Sequence, residues 1–370
     1  MLTENKVLVV GGGIAGLSLA ISLRKSGVAV DIVELKKEWT VYGVGIIIQS
    51  NVMRAFNELG VLDKFMDRAY PFEVVTVESP RGEMVMPGHR LAGPQYPPNC
   101  GVSRPALHKV LTSTALETGT NVRLGVTLAS YTETEHNITA TFTDGSTGTY
   151  DLIVGADGTY SKVREMIFPE VKPRFTGQAV WRYNFPRSVD HLANYIGRDG
   201  LAAGLCPLAE DLMYMYCTSN EPTKPRIADE DLAAQMRDRL KGHTGGIIAE
   251  LRDQITENKG VVYRPMEVVF VPEKWYKGRV VLIGDAAHST SPHIGQGAGI
   301  SVEDALVLGE ELVKDQPLQT SLDNFMTRRY ARCKMVCDVA DQIGEWEMAG
   351  TMGDRNKLTA EAQQALAQPL

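Results

Sequence analysis

The chain begins with two short apolar runs separated by a glycine-rich turn. Residues Val7 to Val10 form a continuous apolar run, which predicts a buried parallel strand. The chain then continues as Gly11-x-Gly13-x-x-Gly16 into an apolar helix, and a second apolar run from Val28 to Val33 follows. This order of strand, glycine turn, helix and strand predicts a dinucleotide-binding unit.

Each glycine of the turn is explained by a different requirement. Gly11 permits the tight turn, Gly13 lets the backbone approach a pyrophosphate, and Gly16 lets the helix pack closely on the strand. The helix N-terminus, which includes Ala15, then faces the phosphates. Glu34 ends the second strand, where a carboxylate can accept hydrogen bonds from ribose hydroxyls. Because a 2′-phosphate would be repelled by this carboxylate, we expect FAD or NAD rather than NADP at this site.

Later segments carry weaker but readable patterns of helices and strands. They predict helices over 51–59 and 105–118, strands between 72 and 86, and a hairpin strand over 138–142 closed by Asp144-Gly145.

The alternating aromatic and apolar positions of residues 173–270 predict a second sheet of a different kind. From Arg279 onward the pattern of buried runs returns. We therefore predict an α/β protein with a discontinuous, Rossmann-like nucleotide-binding domain, an inserted, mostly antiparallel substrate-binding sheet and C-terminal helices. The predicted boundaries are 1–70, 99–172 and 278–345 for the first domain, 71–98 and 173–277 for the second, and 346–370 for a helical tail.

Two further motifs place acidic residues after buried strands. In the first, an apolar strand leads to Asp157-Gly158, and Ser161 opens the helix that follows. In the second, a buried strand leads to Asp285 and then to a glycine-rich helix start, Gly295-Gln-Gly297-Ala-Gly299. Ligands bind at the carboxyl ends of parallel strands, and a helix start of this kind suits an anionic or electron-rich group.

These three motifs, in this order and spacing, resemble the FAD-dependent aromatic hydroxylases, the single-component flavoprotein monooxygenases typified by para-hydroxybenzoate hydroxylase and salicylate hydroxylase. The resemblance covers residues 5–345. It implies non-covalently bound FAD, with NADH or NADPH as a transient co-substrate that binds along a surface groove. It also implies that O2 reacts with the reduced flavin to give a C4a-hydroperoxide, which hydroxylates an aromatic or heteroaromatic, phenolic or anionic small molecule.

The resemblance also implies roles for individual residues. The first motif and Glu34 hold the ADP half of FAD, and Arg104 contacts the flavin's phosphate and ribityl region. Asp157 and Gly158 take part in binding both FAD and the nicotinamide cofactor, while Asp285 binds the ribityl chain. The isoalloxazine ring is lined by the loop containing Pro292, Gly295, Gly297 and Gly299.

Candidates for the substrate site lie on the inserted sheet. Because side chains alternate along a strand, Trp181 and Tyr183 share one face and Arg182 lies on the other. Tyr214 and Tyr216 alternate in the same way. An aromatic wall with an arginine would suit a planar anion, which makes Arg182, Tyr183 and Tyr216 the candidate pocket residues. The pattern equally allows Trp181 and Tyr183 to face the flavin while Arg182 points to water, or the aromatic residues to form ordinary sheet core.

The histidines and acids of the last motif have less distinctive interpretations. His293, beside Pro292, is a further candidate for a catalytic role. His288 is typical of a hydrogen-bonded structural histidine at a strand-to-helix turn. Glu303 and Asp304 are expected to begin the last helical region, where they would favour its dipole. No metal site is expected.

Composition narrows the class of protein. The 370 residues carry a net charge of −7, which gives no basic surface for nucleic acid, and no apolar run approaches the length of a membrane span. The first strand begins too early to leave room for a signal peptide, and the five cysteines include no CxxC pair. We expect a cytoplasmic monomer or homodimer with reduced thiols.

Other functions compatible with the motifs stay open at this point. One is a flavin monooxygenase of the same fold that acts on a polycyclic or antibiotic-like compound, and another is a flavin reductase that leaves O2 unused. A non-catalytic FAD-fold binding protein would have no need for the glycine-rich loop after Pro292. The aromatic or heteroaromatic ring hydroxylase is therefore the leading hypothesis.

Overall fold

The computed structural model describes residues 5–41, 43–79, 82–87, 90–197, 201–244, 246–351 and 353–370. The strands of this part of the chain are β1 (Lys6–Val10), β2 (Ala29–Glu34), β3 (Gly45–Ile48), β4 (Tyr70–Phe72), β5 (Val74–Ser79), β6 (Gly82–Pro87), β7 (Asn99–Ser103), β8 (Asn121–Leu124), β9 (Leu128–Glu133), β10 (Ile138–Phe142), β11 (Thr147–Tyr150), β12 (Leu152–Gly155), β13 (Arg174–Pro186), β14 (Leu192–Ile196), β15 (Ala202–Pro207), β16 (Leu212–Asn220), β17 (Val262–Val268), β18 (Tyr276–Lys277) and β19 (Val280–Leu282). Its α-helices are α1 (Ile14–Lys25), α2 (Asn51–Leu59), α3 (Leu62–Met66), α4 (Arg104–Glu117), α5 (Lys162–Ile167), α6 (Leu232–Arg239), α7 (Gly246–Asp253), α8 (Asp285–His288), α9 (Gly297–Leu312), α10 (Leu318–Met348) and α11 (Arg355–Ala367).

The glycine turn belongs to a six-stranded sheet with the order β18-β19-β12-β1-β2-β8. All neighbours pair in parallel except β18, which is antiparallel to β19. These strands come from the beginning, the middle and the end of the sequence. The prediction of a discontinuous Rossmann-like fold is confirmed, while the exact domain boundaries stay a prediction.

The inserted sheet has seven strands in the order β17-β13-β16-β15-β14-β5-β6. Its pairs are antiparallel except for β14 with β5, which confirms a mostly antiparallel sheet. The region predicted as strands between 72 and 86 divides between two sheets. Phe72 ends β4, which pairs with β7 in a three-stranded sheet, and only β5 and β6 extend the seven-stranded sheet.

Several elements agree closely with their predicted bounds. The helix over 51–59 and the hairpin strand over 138–142 match α2 and β10, and Gly145 adopts a φ of +83° in the turn that closes the hairpin. The tail is helical as predicted, although residues 346–348 complete α10 and the separate helix α11 begins only at Arg355. Among the described helices, none combines the length and the apolar character that crossing a membrane requires.

One prediction about the last motif is wrong. Glu303 and Asp304 do not begin a helix, because α9 starts at Gly297 and both side chains lie in its middle, buried. Their carboxylates are held by buried ion pairs with α10, described below, and not by the dipole of a helix start.

Candidate functional site

The carboxyl ends of three neighbouring parallel strands meet at one edge of the six-stranded sheet. There β1 leads into the glycine turn, β12 leads to Asp157 and β19 leads to Asp285. Ligands of parallel α/β sheets bind at this edge. The fold therefore brings the three sequence motifs together.

Two glycines of the turn are required by the packing of the protein itself. Gly11 has a φ of +109°, and a Cβ added there would lie 2.4 Å from the carbonyl oxygen of Ala156. A Cβ at Gly16 would lie 2.1 Å from the carbonyl oxygen of Gly11. Since no side chain tolerates such distances, these two positions need glycine in the folded protein with or without a ligand.

Gly13 is different, because none of the residues that the structure describes requires it to be glycine. It is exposed, its backbone is extended with φ −83° and ψ −171°, and a Cβ there would meet no heavy atom within 4 Å. Gly13 is the N-cap residue of α1. Because glycine has no side chain, it supplies no side-chain acceptor for the first N–H groups of the helix. Ala15, in contrast, is buried and lies 2.9 Å from where a Cβ of Gly284 would be, so it packs against the turn after β19.

Glu34 closes the turn from the end of β2. Its Oε2 accepts a hydrogen bond from the Gly12 amide at 2.9 Å, and its Oε1 accepts one from the Lys36 amide at 3.0 Å. Two aromatic residues that the sequence patterns did not single out complete this corner. The Trp39 ring lies over Gly12, and His108 Nε2 lies 2.9 Å from the Gly12 carbonyl oxygen.

The Asp157-Gly158 pair shapes the neighbouring turn. The Asp157 carboxylate accepts hydrogen bonds from the Ser161 hydroxyl and from the Lys162 amide, so it caps α5. Gly158 follows with a φ of +80°. Its successor Thr159 shares a 2.8 Å hydrogen bond with Ser289, just after α8. The hydrogen bond between Thr159 and Ser289 connects the second motif to the third. The Asp157 carboxylate is already hydrogen-bonded to Ser161 and Lys162.

Asp285 and Arg104 carry charges at the same edge. Asp285 is solvent-exposed, yet enough protein surrounds it for burial to raise the pKa of its carboxyl group. Burial lowers the pKa of Arg104, whereas the nearby Tyr214 and Asp285 act to raise it. Asp285 is thus accessible to solvent while surrounded by protein, and we call this region at the sheet edge the crevice. A bound dinucleotide would lie there.

The loop from Ser291 to Gln296 leads from this crevice into α9, and we name it the flavin-ring loop after the role that the family resemblance implies for it. Pro292 is exposed, Gly295 has a φ of +63°, and Gln296 precedes α9 without capping it by its side chain. In the first turn of α9, a Cβ at Gly299 would lie 2.7 Å from Val52.

At Gly297, in the same turn, a Cβ would meet only Thr290, at an ordinary 3.5 Å. Gly299 therefore serves packing against α2, whereas Gly297 leaves the start of α9 open.

Three amide side chains that the sequence patterns missed hold this loop. Gln296 Nε2 donates to Gln49 Oε1 at 2.6 Å and to Asn51 Oδ1 at 3.0 Å. Asn51 Nδ2 donates back to Gln296 Oε1 at 3.2 Å, and Gln49 Nε2 donates to the Ile294 carbonyl oxygen. Since these partners are about 245 positions apart in sequence, no local pattern reveals them.

The register of β13 against β16 decides which face of the inserted sheet points toward the crevice. Arg182 lies opposite Tyr216, and Asn184 lies opposite Tyr214. Asn184 donates to the Gly43 carbonyl oxygen at 2.7 Å, and the Tyr214 ring lies against Gly45. This face therefore points toward the β3 side of the molecule.

Arg182 is held in this face without an anionic partner. Burial lowers its pKa to about 10, and the nearby Arg104 charge acts in the same direction. Within the described residues, neither Arg182 nor Arg104 has a hydrogen bond or ion pair to its guanidinium group. Arg104 has the Asp285 carboxylate nearby, whereas an enclosed cation without a carboxylate beside it, as at Arg182, is costly for a folded protein unless an anionic ligand binds there.

The structure does not bring Tyr183 together with Arg182 and Tyr216, because Tyr183 lies on the opposite face of β13. Trp181 is fully buried on the opposite face, in a cluster with residues of α6 and α7, and Tyr183 packs against the same cluster. The Tyr183 ring lies 5.0 Å from that of Phe185 and next to Gly260. Among the described residues, α6 and α7 cover this face, whereas Arg182 lies on the other one.

His293 lies at one end of the sheet face that carries Arg182. Its side chain is almost fully buried, with Nδ1 2.7 Å from the Ser291 hydroxyl and Nε2 3.3 Å from a carboxylate oxygen of Glu347. Glu347 also accepts from Gln178 of β13 at 3.4 Å. These contacts describe an anchored histidine within the flavin-ring loop.

A buried ionic cluster supports the turn that carries Asp285. Asp304 accepts hydrogen bonds from the Gly284 amide at 2.9 Å, from His288 Nε2 at 2.5 Å and from Arg329 Nε at 2.8 Å. His288 therefore has the structural environment predicted for it. Cys333 also lies near Asp304, but the Arg329 guanidinium group contacts both residues and occupies the place that a cation would need.

The model of the FAD binding domain family matches residues 4–340. The chain is 31% identical over 360 residues to the 2-heptyl-3-hydroxy-4(1H)-quinolone synthase of Pseudomonas aeruginosa, covering 95% of this chain and 93% of that protein. It is 31% identical over 369 residues to the aurachin C monooxygenase/isomerase of Stigmatella aurantiaca, covering 97% and 94%.

Among solved structures, Klebsiella pneumoniae HpxO complexed with FAD and uric acid superposes with a TM-score of 0.82 at 23% identity, covering 98% of this chain and 93% of that one. This likeness establishes the same fold.

Proposed function

Because the chain belongs to the FAD-binding family of flavoprotein monooxygenases and is an FAD-dependent aromatic-hydroxylase-type enzyme, we propose that it hydroxylates a planar, anionic aromatic or heteroaromatic small molecule. The observation that carries this proposal is the enclosed guanidinium group of Arg182, which lies beside Tyr214 and Tyr216 and has no hydrogen-bond or ion-pair partner among the described residues. O2 and NADH or NADPH complete the proposed reaction, with the nicotinamide cofactor bound only transiently.

The residues at the sheet edge fit FAD. The uncapped start of α1 beside Gly13 suits a pyrophosphate, and Glu34 suits the adenosine ribose. Asp285 is accessible for the ribityl hydroxyls, and the open start of α9 at Gly297 suits an electron-rich ring edge. Bound FAD would supply the activation of O2 for hydroxyl transfer.

The chain's own residues would bind and orient the substrate. Arg182 is protonated at neutral pH, because its pKa of about 10 lies well above 7. An anionic substrate would compensate its burial, and the Tyr214 and Tyr216 rings would stack against a planar molecule. Next to them, Asn184 keeps a buried Oδ1 without a hydrogen-bond partner, which could accept from a substrate hydroxyl or N–H group.

The direct test is a substrate panel. Hydroxybenzoates provide the planar anion, and the neutral 4(1H)-quinolones, suggested by the name of the Pseudomonas relative, provide the comparison without a charge. Substrate-stimulated NAD(P)H oxidation with O2 uptake and a product heavier by one oxygen supports the proposal. NAD(P)H oxidation without an oxygenated product from any planar anion would favour a reductase.

Replacing Arg182 by Ala should raise the dissociation constant of a planar anion about ten- to hundredfold, since a charge-assisted contact contributes about 1.5–3 kcal/mol. FAD content should be unchanged. Titration of the flavin absorbance with benzoate measures the effect. Tyr183→Phe is the matched control, because Tyr183 lies in the same strand on the face covered by α6 and α7. Equal titrations of the two variants would remove this strand from the site.

Replacing Asp285 by Ala should weaken FAD binding by about 1–3 kcal/mol, the range for hydrogen bonds to a charged group. Asp285 is exposed at the crevice, so the change should leave the fold intact. Flavin release by dilution measures the affinity. Asp144→Ala, in an exposed hairpin turn, serves as the control. Unchanged release from the Asp285 variant would refute the ribityl role.

We further propose a cytoplasmic protein that works as a monomer or homodimer. All five cysteines are buried and free, which suits a reducing compartment.

A further inference from the structure

The C-terminal helix α11 is connected to both ends of the flavin-ring loop through two buried glutamates. One connection starts from the last turn of α11 and the other from its first residue. Neither uses a residue assigned above to FAD or substrate, apart from the loop itself.

The first connection runs through Arg332 of α10. Its guanidinium group donates to the carbonyl oxygens of Ala365 and Leu366 at 2.8 Å each. The same group donates to both carboxylate oxygens of Glu303 at 2.9 Å. A cation at the C-terminus of a helix also interacts favourably with the helix dipole. Arg332 thus joins the end of α11 to the middle of α9.

From Glu303 the connection continues to the loop. Asn51 Nδ2 lies 3.4 Å from Glu303 Oε1 and also bonds to Gln296, the last residue of the loop. Gln296 in turn holds Gln49, which donates to the Ile294 carbonyl oxygen within the loop. Asn51, Gln296 and Glu303 are almost fully buried, so their hydrogen bonds are protected from water.

The second connection starts at the first residue of α11. Arg355 donates to Glu347 Oε1 at 3.0 Å, and the other oxygen of Glu347 lies 3.3 Å from His293 Nε2. His293 is bonded on its far side to Ser291, the first residue of the loop. Gly344 makes this contact possible, because a Cβ there would lie 3.1 Å from the His293 ring.

We propose that α11 positions the flavin-ring loop, with Arg332 and Arg355 as its positioning residues. The loop is short and contains Gly295, which has a φ of +63°. Because a glycine backbone can adopt many conformations, the side-chain anchors must restrict it at this position. Holding it from both ends fixes the surface presented to the flavin ring. The inference rests on the proposed placement of that ring beside the loop.

The test compares three arginine variants of the full-length holoprotein: Arg332→Gln, Arg355→Gln and the control Arg328→Gln. Arg328 lies in α10 like Arg332 and pairs with Glu310 and Glu311 of α9, but its hydrogen bonds do not reach α11 or the loop. FAD release rate, the visible flavin spectrum and the flavin midpoint potential are measured, together with thermal unfolding of the apoprotein.

We expect Arg332→Gln and Arg355→Gln each to release FAD about tenfold faster than the control, within the usual range of coupling between sites. Their flavin spectrum or midpoint potential should also differ from that of the control. Arg355 is partly exposed and makes one ion pair, so its variant keeps the test valid if Arg332→Gln does not fold.

A lower unfolding temperature with release, spectrum and potential equal to those of the control would overturn the inference, because the arginines would then serve stability alone. The Gly295→Ala variant distinguishes a failure of the inference about α11 from a failure of the proposed flavin site. If Gly295→Ala changes the flavin signals and the arginine variants do not, only the inference is wrong. If no variant changes them, the flavin ring does not lie beside this loop.

Discussion

The Gly13→Val protein should fold normally and purify without colour. The backbone at Gly13 is extended and a Cβ there meets no protein atom within 4 Å, so valine can be accommodated in the apoprotein. The added methyl groups would instead occupy the approach of the FAD pyrophosphate. Overpacking of this kind costs about 1–3 kcal/mol, which is a roughly five- to hundredfold loss of affinity. The visible spectrum measures the bound FAD, an FAD titration measures the affinity, and circular dichroism measures the folding of the variant.

Gly11→Ala is the informative counterpart. At Gly11 a Cβ would lie 2.4 Å from a backbone oxygen and φ is +109°, so alanine should destabilise the protein even without FAD. Substitutions at two glycines of one motif should thus have different effects. Gly13→Val should prevent FAD binding, whereas Gly11→Ala should destabilise the fold. Full retention of FAD by Gly13→Val would show that the dinucleotide is not bound at this turn.

The contrast between these glycines illustrates what the sequence could predict. The motif and its flanking apolar runs are local, so β1, α1 and the end of β2 follow from neighbouring residues. The same holds for α2 and β10, whose predicted bounds match the structure. The sequence does not distinguish a glycine needed for packing from one that leaves space, because the packing partner of Gly11 is Ala156, far along the chain.

The orientation of the substrate strand could not be predicted for a similar reason. Alternation puts Arg182 and Tyr183 on opposite faces, but it does not say which face is covered. That choice is made by α6 and α7, which pack on the side of Trp181 and leave Arg182 facing the crevice. Only the tertiary packing of later elements decides it.

Long-range polar contacts were the least predictable part. Glu303 and Asp304 were expected at a helix start, where a local dipole would explain two adjacent acids. They are explained instead by arginines of α10 about 25 positions away and by Asn51 at the other end of the chain. A single sequence contains no signal for such pairs.

Asp304→Asn should lower the free energy of unfolding of the apoprotein by about 3–5 kcal/mol, the usual cost of removing one partner from a buried ion pair. The side chains of Asp304, His288 and Arg329 are completely buried. Asparagine would leave the buried His288 without its carboxylate partner and Arg329 with Glu303 as its remaining one. It would also weaken the hold on the Gly284 amide, which directly precedes Asp285. Urea unfolding of the apoprotein at neutral pH measures the loss.

The loss should depend on pH in a defined direction. Burial alone would raise the pKa of Asp304, but the charges of His288 and Arg329 lower it to about 2. A carboxylate whose pKa is lowered by folding stabilises the protein above its unfolded value of 3.8, and this contribution is lost as the pH falls toward 2. His288, whose pKa is raised, contributes below pH 6.5 and loses its contribution as the pH rises through its folded value.

The difference between the wild type and Asp304→Asn should therefore be large at pH 5–6 and shrink below about pH 4, as the carboxylate is protonated. Asp338→Asn provides the control, because Asp338 pairs with Lys334 on the exposed side of α10. A surface pair of that kind contributes about 0–1 kcal/mol, so this variant should unfold almost like the wild type. If Asp304→Asn were no less stable than Asp338→Asn, the buried cluster would not be what holds the Gly284–Asp285 turn in place.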